Sequence, residues 1–230
     1  MGMKQTRVVD CATVLPGFAV KSAVVHAPGG RYQLIQGRHL TPGVPYRFTE
    51  QDSLRMSPRR RPSDERCVYA GDVLFASRGG NNYAVCLEAV PEPSIAPATF
   101  YILRPAADTD AHYLAWCINQ APVQAAIAQI RTGAATPIVQ RDAFAGIMIP
   151  LPALDEQRRI ARLAALMNRE RGLLRQLAEE TEHYHALIGR RLLAAETAET
   201  AGSAGFQPAL ADRRSALRSA RPEGNIDELK

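Results

Sequence analysis

The sequence has little lysine. Of its 28 basic side chains only Lys4, Lys21 and Lys230 are lysines, and the rest are arginines. Paired carboxylates beside a lysine, as a metal-dependent nuclease would want, cannot be assembled from such a chain. Four cysteines stand at positions 11, 67, 86 and 117, with no CxxC pair and no histidine at ligand spacing. That excludes a zinc ribbon and a disulfide framework, so no metal site is expected. Cys86 and Cys117 lie in apolar stretches and read as small core residues of a reducing, cytoplasmic compartment. No apolar run reaches the ~20 residues that a membrane span requires. The N-terminal residues lack the basic, apolar and small-residue order of a signal peptide. No GxxxxGK[ST] loop and no GxSxG elbow occurs. Gly79-Gly80-Asn81 is a lone glycine pair, not a dinucleotide fingerprint, and Asn81-Asn82-Tyr83 lacks the prolines of the amino-methyltransferase motif. His183 and His185 lie two apart on a predicted helix and so point to different faces. No catalytic residue, metal or bound cofactor is expected.

What is present is an ordinary globular composition. The chain has 230 residues, 46% hydrophobic and 22% charged, with a net charge of +5. That length buries a substantial core and allows one large domain or a domain with an appendage. The charge is uneven. Residues 1–66 hold 11 basic and 5 acidic side chains, 67–153 hold 4 and 6, 154–200 hold 8 and 8, and 201–230 hold 5 and 4. The excess is sharpest at Arg55, Arg59, Arg60, Arg61 and Arg66, in a polar stretch with Pro58 and Pro62. This reads as an exposed loop, suited to nucleic-acid phosphates or simply to solvent.

Hydropathy patterning predicts strands and turns over 1–105. Strands are expected at Phe18–Val25, Tyr32–Ile35, Val73–Ser77, Tyr83–Leu87 and Thr99–Leu103. Gly79-Gly80-Asn81-Asn82 joins two of them as a tight hairpin turn. Between 110 and 131 the period changes to that of two short helices, the second with Pro122 in its first turn. Ile147 to Ile149 reads as a short strand. From 154 an apolar stripe runs Ile160, Leu163, Met167, Leu174, Leu177, Tyr184 and Ile188, at alternating spacings of three and four. This predicts one long helix with a coiled-coil seam over 154–196, about 60 Å long at ~1.5 Å per residue. Glu170 and Thr181 interrupt the seam, either to tune its register or by facing solvent. Periodicity fails over 197–230, which is expected to be a disordered tail. The fold class is therefore α+β: a β-rich domain with short helices over 1–153, followed by the helix.

The order of these pieces resembles the specificity subunits of type I restriction–modification systems. The residues that carry the resemblance are Tyr32-Gln33-Leu34-Ile35-Gln36-Gly37, Gly71-Asp72-Val73-Leu74-Phe75-Ala76-Ser77-Arg78-Gly79, and Tyr113-Leu114-Ala115-Trp116-Cys117-Ile118-Asn119 with Gln124. Gly133, Thr136-Pro137 and Ile147 to Pro152 follow. Leu151-Pro152-Ala153-Leu154-Asp155-Glu156-Gln157, opening the helix, is the most telling. The resemblance implies a target recognition domain followed by a spacer helix, with no chemistry of its own. Members of that family usually carry two such units, whose helices pair antiparallel, and each domain reads half of a split DNA site. One unit stands here. The resemblance thus implies a homodimer, or another polypeptide in the second place. Implied partners are double-stranded DNA, an adenine methyltransferase subunit that brings S-adenosylmethionine and, in some assemblies, a restriction/translocase subunit.

Candidates for phosphate or base contact are Arg55, Arg59, Arg60, Arg61, Arg66, Arg78, Asn81, Asn82, Arg131, Thr132 and Gln140, all expected in loops or at element ends. Arginine can grip guanine, and asparagine or glutamine can grip adenine, in the major groove. Asn81 and Asn82 would equally suit the turn itself. Dimerisation would use the stripe from Ile160 to Ile188. A competing class is a coiled-coil adaptor without DNA binding.

Overall fold

The computed structural model describes residues 4–20 and 26–203, with side chains as far as 194. In chain order the elements begin with β1 (Gln5–Arg7), α1 (Val8–Cys11), β2 (Ala12–Pro16), β3 (Tyr32–Leu34), β4 (Tyr46–Arg47), β5 (Arg55–Met56) and β6 (Cys67–Val68). Then come β7 (Val73–Ala76), β8 (Ala84–Ala89), β9 (Ser94–Ile95), β10 (Phe100–Pro105), α2 (Ala111–Ile118) and α3 (Ala121–Gln129). The chain continues through β11 (Arg131–Thr132), β12 (Ile138–Val139), α4 (Arg141–Ala145), β13 (Met148–Pro150) and α5 (Leu154–Ser203). This is an α+β architecture with a β-rich body and one long helix, as the patterning predicts.

The central sheet has the strand order β2-β10-β7-β8-β4. Its pairs are antiparallel except the parallel β4–β8 edge. Successive side chains of a strand face opposite sides. On β7, Val73 and Phe75 enter one core with Tyr113, Leu114 and Ile118 of α2 and Phe144 of α4, while Leu74 and Ala76 enter a second core on the other face. Strand β10 divides in the same way, with Tyr101 and Leu103 on the helical side and Phe100 and Ile102 opposite. A strand covered on both faces reads as an unbroken apolar run, which is why Val73-Leu74-Phe75-Ala76 shows no alternation. Phe75 stacks on Phe144 with ring centroids 4.1 Å apart. A second sheet, β5-β3-β9-β6, holds a third core of Tyr32, Leu34, Leu54, Met56 and Ile95.

The cysteines are buried, and burial pushes the Cys86 thiol up to about 12 and those of Cys11 and Cys117 to about 11. All three behave as inert core residues.

Several expectations need correction. Of the strand expected at Phe18–Val25, only Phe18 makes a bridge, to Pro97, and residues 21–25 lie outside the described residues. Strand β2 pairs with β10 over five residues, although Ala12-Thr13-Val14-Leu15-Pro16 carried no strand signal of its own. The helix passes the expected end at 196 and runs to Ser203. The tail expected from 197 otherwise falls outside the described residues.

The chain divides into two units, Met1–Gly172 and Leu173–Lys230. Gln157 is fully buried. Its Oε1 accepts from the Asp110 N–H at 2.8 Å, and its Nε2 donates to the carbonyls of Asp108 and Pro152 at 2.9 Å. Ile160 and Ala161 then pack on the helical core, and the Asn168 amide donates to the Gly43 carbonyl. Ile160, assigned from its spacing to dimerisation, is thus partly buried against the core of its own domain.

Candidate nucleic-acid interface

The β7–β8 hairpin and the β11–β12 hairpin are joined. Arg78 bridges Ile138, the Gly79 N–H donates to the Pro137 carbonyl at 2.9 Å, and the Val139 N–H donates to the Ser77 carbonyl at 2.9 Å. Arg131 Nη1 donates to the Gly80 carbonyl at 2.8 Å, and the Tyr101 hydroxyl donates to the Val139 carbonyl at 2.7 Å. Each tip turns on a glycine with positive φ, Gly79 at 94° and Gly133 at 91°, a conformation costly to any other residue. The fold therefore brings Arg78, Asn81, Arg131, Thr132 and Gln140 onto one two-loop platform. Arg78, Asn81, Thr132 and Gln140 are exposed on it.

Asn82 differs from its neighbour. It is 5% exposed, and its Nδ2 donates to the Ala76 carbonyl at 2.8 Å. That amide holds the turn shut from inside. Asn81 is exposed, so of the two asparagines only Asn81 offers its amide outward. Arg131 and Thr132 each spend one bond on the platform, Thr132 Oγ1 donating to the Ile138 carbonyl at 3.3 Å. Gln140 stands just before α4 as its N-cap residue without a side-chain capping bond.

The second arginine group lies on the β5-β3-β9-β6 side. Arg59, Arg60, Arg61 and Arg66 are exposed and take part in none of the ion pairs found among the described residues. Pro62 is buried and pins their loop. Arg55 departs from the expected loop position. It sits in β5 opposite Gln33, half-buried, with Nη1 donating to the Gly30 carbonyl at 3.3 Å. Burial raises the Cys67 thiol, and the positive charges of Arg61, Arg104 and Arg31 pull it back. Arg104 Nη2 donates to the Cys67 carbonyl at 3.1 Å. Arg104 is committed inward, paired with the buried Asp72 carboxylate at 2.9 Å.

Sequence reasoning missed two exposed arginines beside the candidates. Arg31 lies 5.9 Å over the Tyr32 ring, next to the Arg61 loop, and Arg141 follows Gln140 on the platform. Arg31 could have been found from its place one residue before a recognised strand, in the most basic third of the chain.

Among the described residues, no three of His, Cys, Asp and Glu stand close enough to hold a metal ion. No described helix is long and apolar enough to cross a membrane.

No family model matches the sequence, and no curated protein matches it. Solved structures do share the fold. One is a chain of a type I R-M system, solved in connection with complex assembly and conformational transition. It has a TM-score of 0.59 at 17% identity, over 79% of this chain and 42% of that one. Another is the HsdS subunit from Thermoanaerobacter tengcongensis, with a TM-score of 0.53 at 18% identity, over 76% of this chain and 39% of that one. The chain thus spans about two-fifths of the length of these neighbours. It has the fold of a type I restriction–modification specificity subunit over that span.

Proposed function

We propose that the chain is a sequence-specific DNA recognition subunit of a type I restriction–modification system. The observation that carries this reading is the two-loop platform. On a fold shared with an HsdS subunit, two hairpins are bonded into one surface that displays Arg78, Asn81, Arg131, Thr132 and Gln140. Arginine and amide side chains on a braced loop are the donors and acceptors that read base edges. The exposed Arg59, Arg60, Arg61 and Arg66 supply sequence-independent phosphate contact.

By this reading the chain performs no chemistry. It places an adenine methyltransferase, which binds S-adenosylmethionine, on a DNA site, and it can place a translocating nuclease there too. It works as a homodimer through α5. Leu163, Met167, Leu174, Leu177, Tyr184 and Ile188 are between 48 and 64% exposed, a run of large apolar groups that a second helix would cover. A symmetric dimer would read a two-fold related split site.

The test is selection of bound sequences from a random duplex pool, followed by titration of the winner at several salt concentrations. The expected result is enrichment of a two-part site and a steep salt slope. Uniform binding of all sequences, or none, would overturn the reading.

A further inference from the structure

The unpartnered stripe of α5 carries its own instructions for how two copies meet. Resting on the dimer proposed above and on the antiparallel pairing that the resemblance implies, we infer a single register for the two α5 helices. In it Glu170 of each copy faces Thr181 of the other, with the two-fold axis between positions 175 and 176.

The seam runs Leu163, Met167, Glu170, Leu174, Leu177, Thr181, Tyr184 and Ile188, an unbroken alternation of three and four along one helix. All eight are exposed. Two are polar, and a seam carboxylate buried against leucine is costly. Parallel pairing in register sets Glu170 against Glu170 of the second copy, which adds like-charge repulsion. Antiparallel pairing offers registers one heptad apart. Sliding one way sets Glu170 against Leu174, and sliding the other way sets it against Ile188. The register between them sets Glu170 against Thr181, Leu174 against Leu177, Met167 against Tyr184 and Leu163 against Ile188. Each apolar layer then meets an apolar layer, and the carboxylate meets a hydroxyl. The Thr181 hydroxyl donates to the Leu177 carbonyl at 2.7 Å. Turning it to the carboxylate replaces that bond with a charge-assisted one.

Two further features agree. The segment with Arg169, Arg171 and Arg175 comes level with the segment holding Glu179, Glu180 and Glu182 of the second copy, whereas parallel pairing in register would stack each segment on itself. One layer beyond Leu163, the register would set Ile160 against Arg191. Ile160 is already packed on its own domain core, so the seam ends where its apolar supply does. One polar pair on each side of the two-fold axis, in an otherwise apolar seam, fixes register at some expense of stability.

Disulfide trapping in the full chain tests this. The four native cysteines are buried, so introduced thiols dominate the reaction. The Glu170→Cys plus Thr181→Cys variant, oxidised with diamide, should run almost wholly as a covalent dimer on a non-reducing gel. Each single variant should stay at monomer mass. The two positions lie about 16 Å apart along one helix, so they cannot bridge within a chain. Cross-linking by either single variant would show parallel pairing and overturn the inference. No cross-link in the double variant, with light scattering still reporting a dimer, would overturn the register and leave the dimer standing. A monomeric native chain in light scattering would overturn both.

Discussion

Two stretches of α5 share one apolar rhythm and meet different fates. Over 154–168 the stripe is partly spent within the domain. Gln157 is sealed by three hydrogen bonds, Ile160 and Ala161 pack on the helical core, and Ala164 is buried. Over 173–192, Leu173, Leu174, Leu177, Tyr184, Leu187, Ile188 and Leu192 are all at least 42% exposed. A heptad pattern shows that a face is apolar and not what covers it. The polar residues beside the face decide that. A glutamine whose amide finds a backbone N–H and two carbonyls docks a helix onto its own domain, and a run without such an anchor stays exposed.

The largest effect should come from breaking the uncovered stretch. Leu174→Asp plus Leu177→Asp sets four carboxylates of a dimer in adjacent seam layers, where burial without partners costs several kcal/mol. Light scattering should report a monomer at concentrations where the native chain is dimeric, with dimer affinity lowered by more than about 1000-fold. A surviving dimer would place the interface elsewhere.

The covered side is tested through the core on which the helix sits. Phe144→Ala removes the ring stacked 4.1 Å from Phe75 and should cost about 3–5 kcal/mol in urea unfolding. A loss below ~1 kcal/mol would mean that α4 contributes little to the helical core. Gln157→Ala should cost less, about 2 kcal/mol, since it orphans the Asp110 N–H and two carbonyls. The dimer should persist in that variant, because the seam beyond Leu163 is untouched. Loss of the dimer together with the anchor would erase the contrast between the two stretches.

The sequence showed these features unequally, for physical reasons. The β7–β8 hairpin was legible because a glycine-rich turn joins two apolar runs, so all the information is local. Helices α2 and α3 were legible from their period and from Pro122. Strand β2 was not, since Ala12-Thr13-Val14-Leu15-Pro16 is a strand by virtue of pairing with β10, some ninety positions away. The platform was named residue by residue, yet its assembly was not visible. The Arg131 to Gly80 bond joins segments that no local pattern connects. Asn81 and Asn82 are chemically identical in sequence, and only the inward turn of Asn82 onto the Ala76 carbonyl separates them. Gln157 closes the Leu151 to Gln157 stretch that carries the resemblance, and nothing local marks its amide as buried. Its role depends on the 108–110 loop that folds back over it.

The contrast between partnered and unpartnered groups also divides the arginines, and it yields the smallest predicted effect. Arg131 braces the platform through the Gly80 carbonyl, while Arg59, Arg60 and Arg61 are exposed and outside the ion pairs found among the described residues. Replacing Arg59, Arg60 and Arg61 with alanine should leave urea unfolding within about 0.5 kcal/mol of native, as for surface changes in general. Its effect should appear in DNA titrations, as weaker binding to all sequences and a salt slope flatter by up to about 0.9 per phosphate contact removed. Arg131→Ala should instead cost about 1 kcal/mol of stability through the lost brace and weaken selected DNA more than random DNA. If the triple variant kept the native salt slope, the loop would be a solvated one. The phosphate contacts would then have to come from elsewhere, with Arg31 and Arg141 the next to replace.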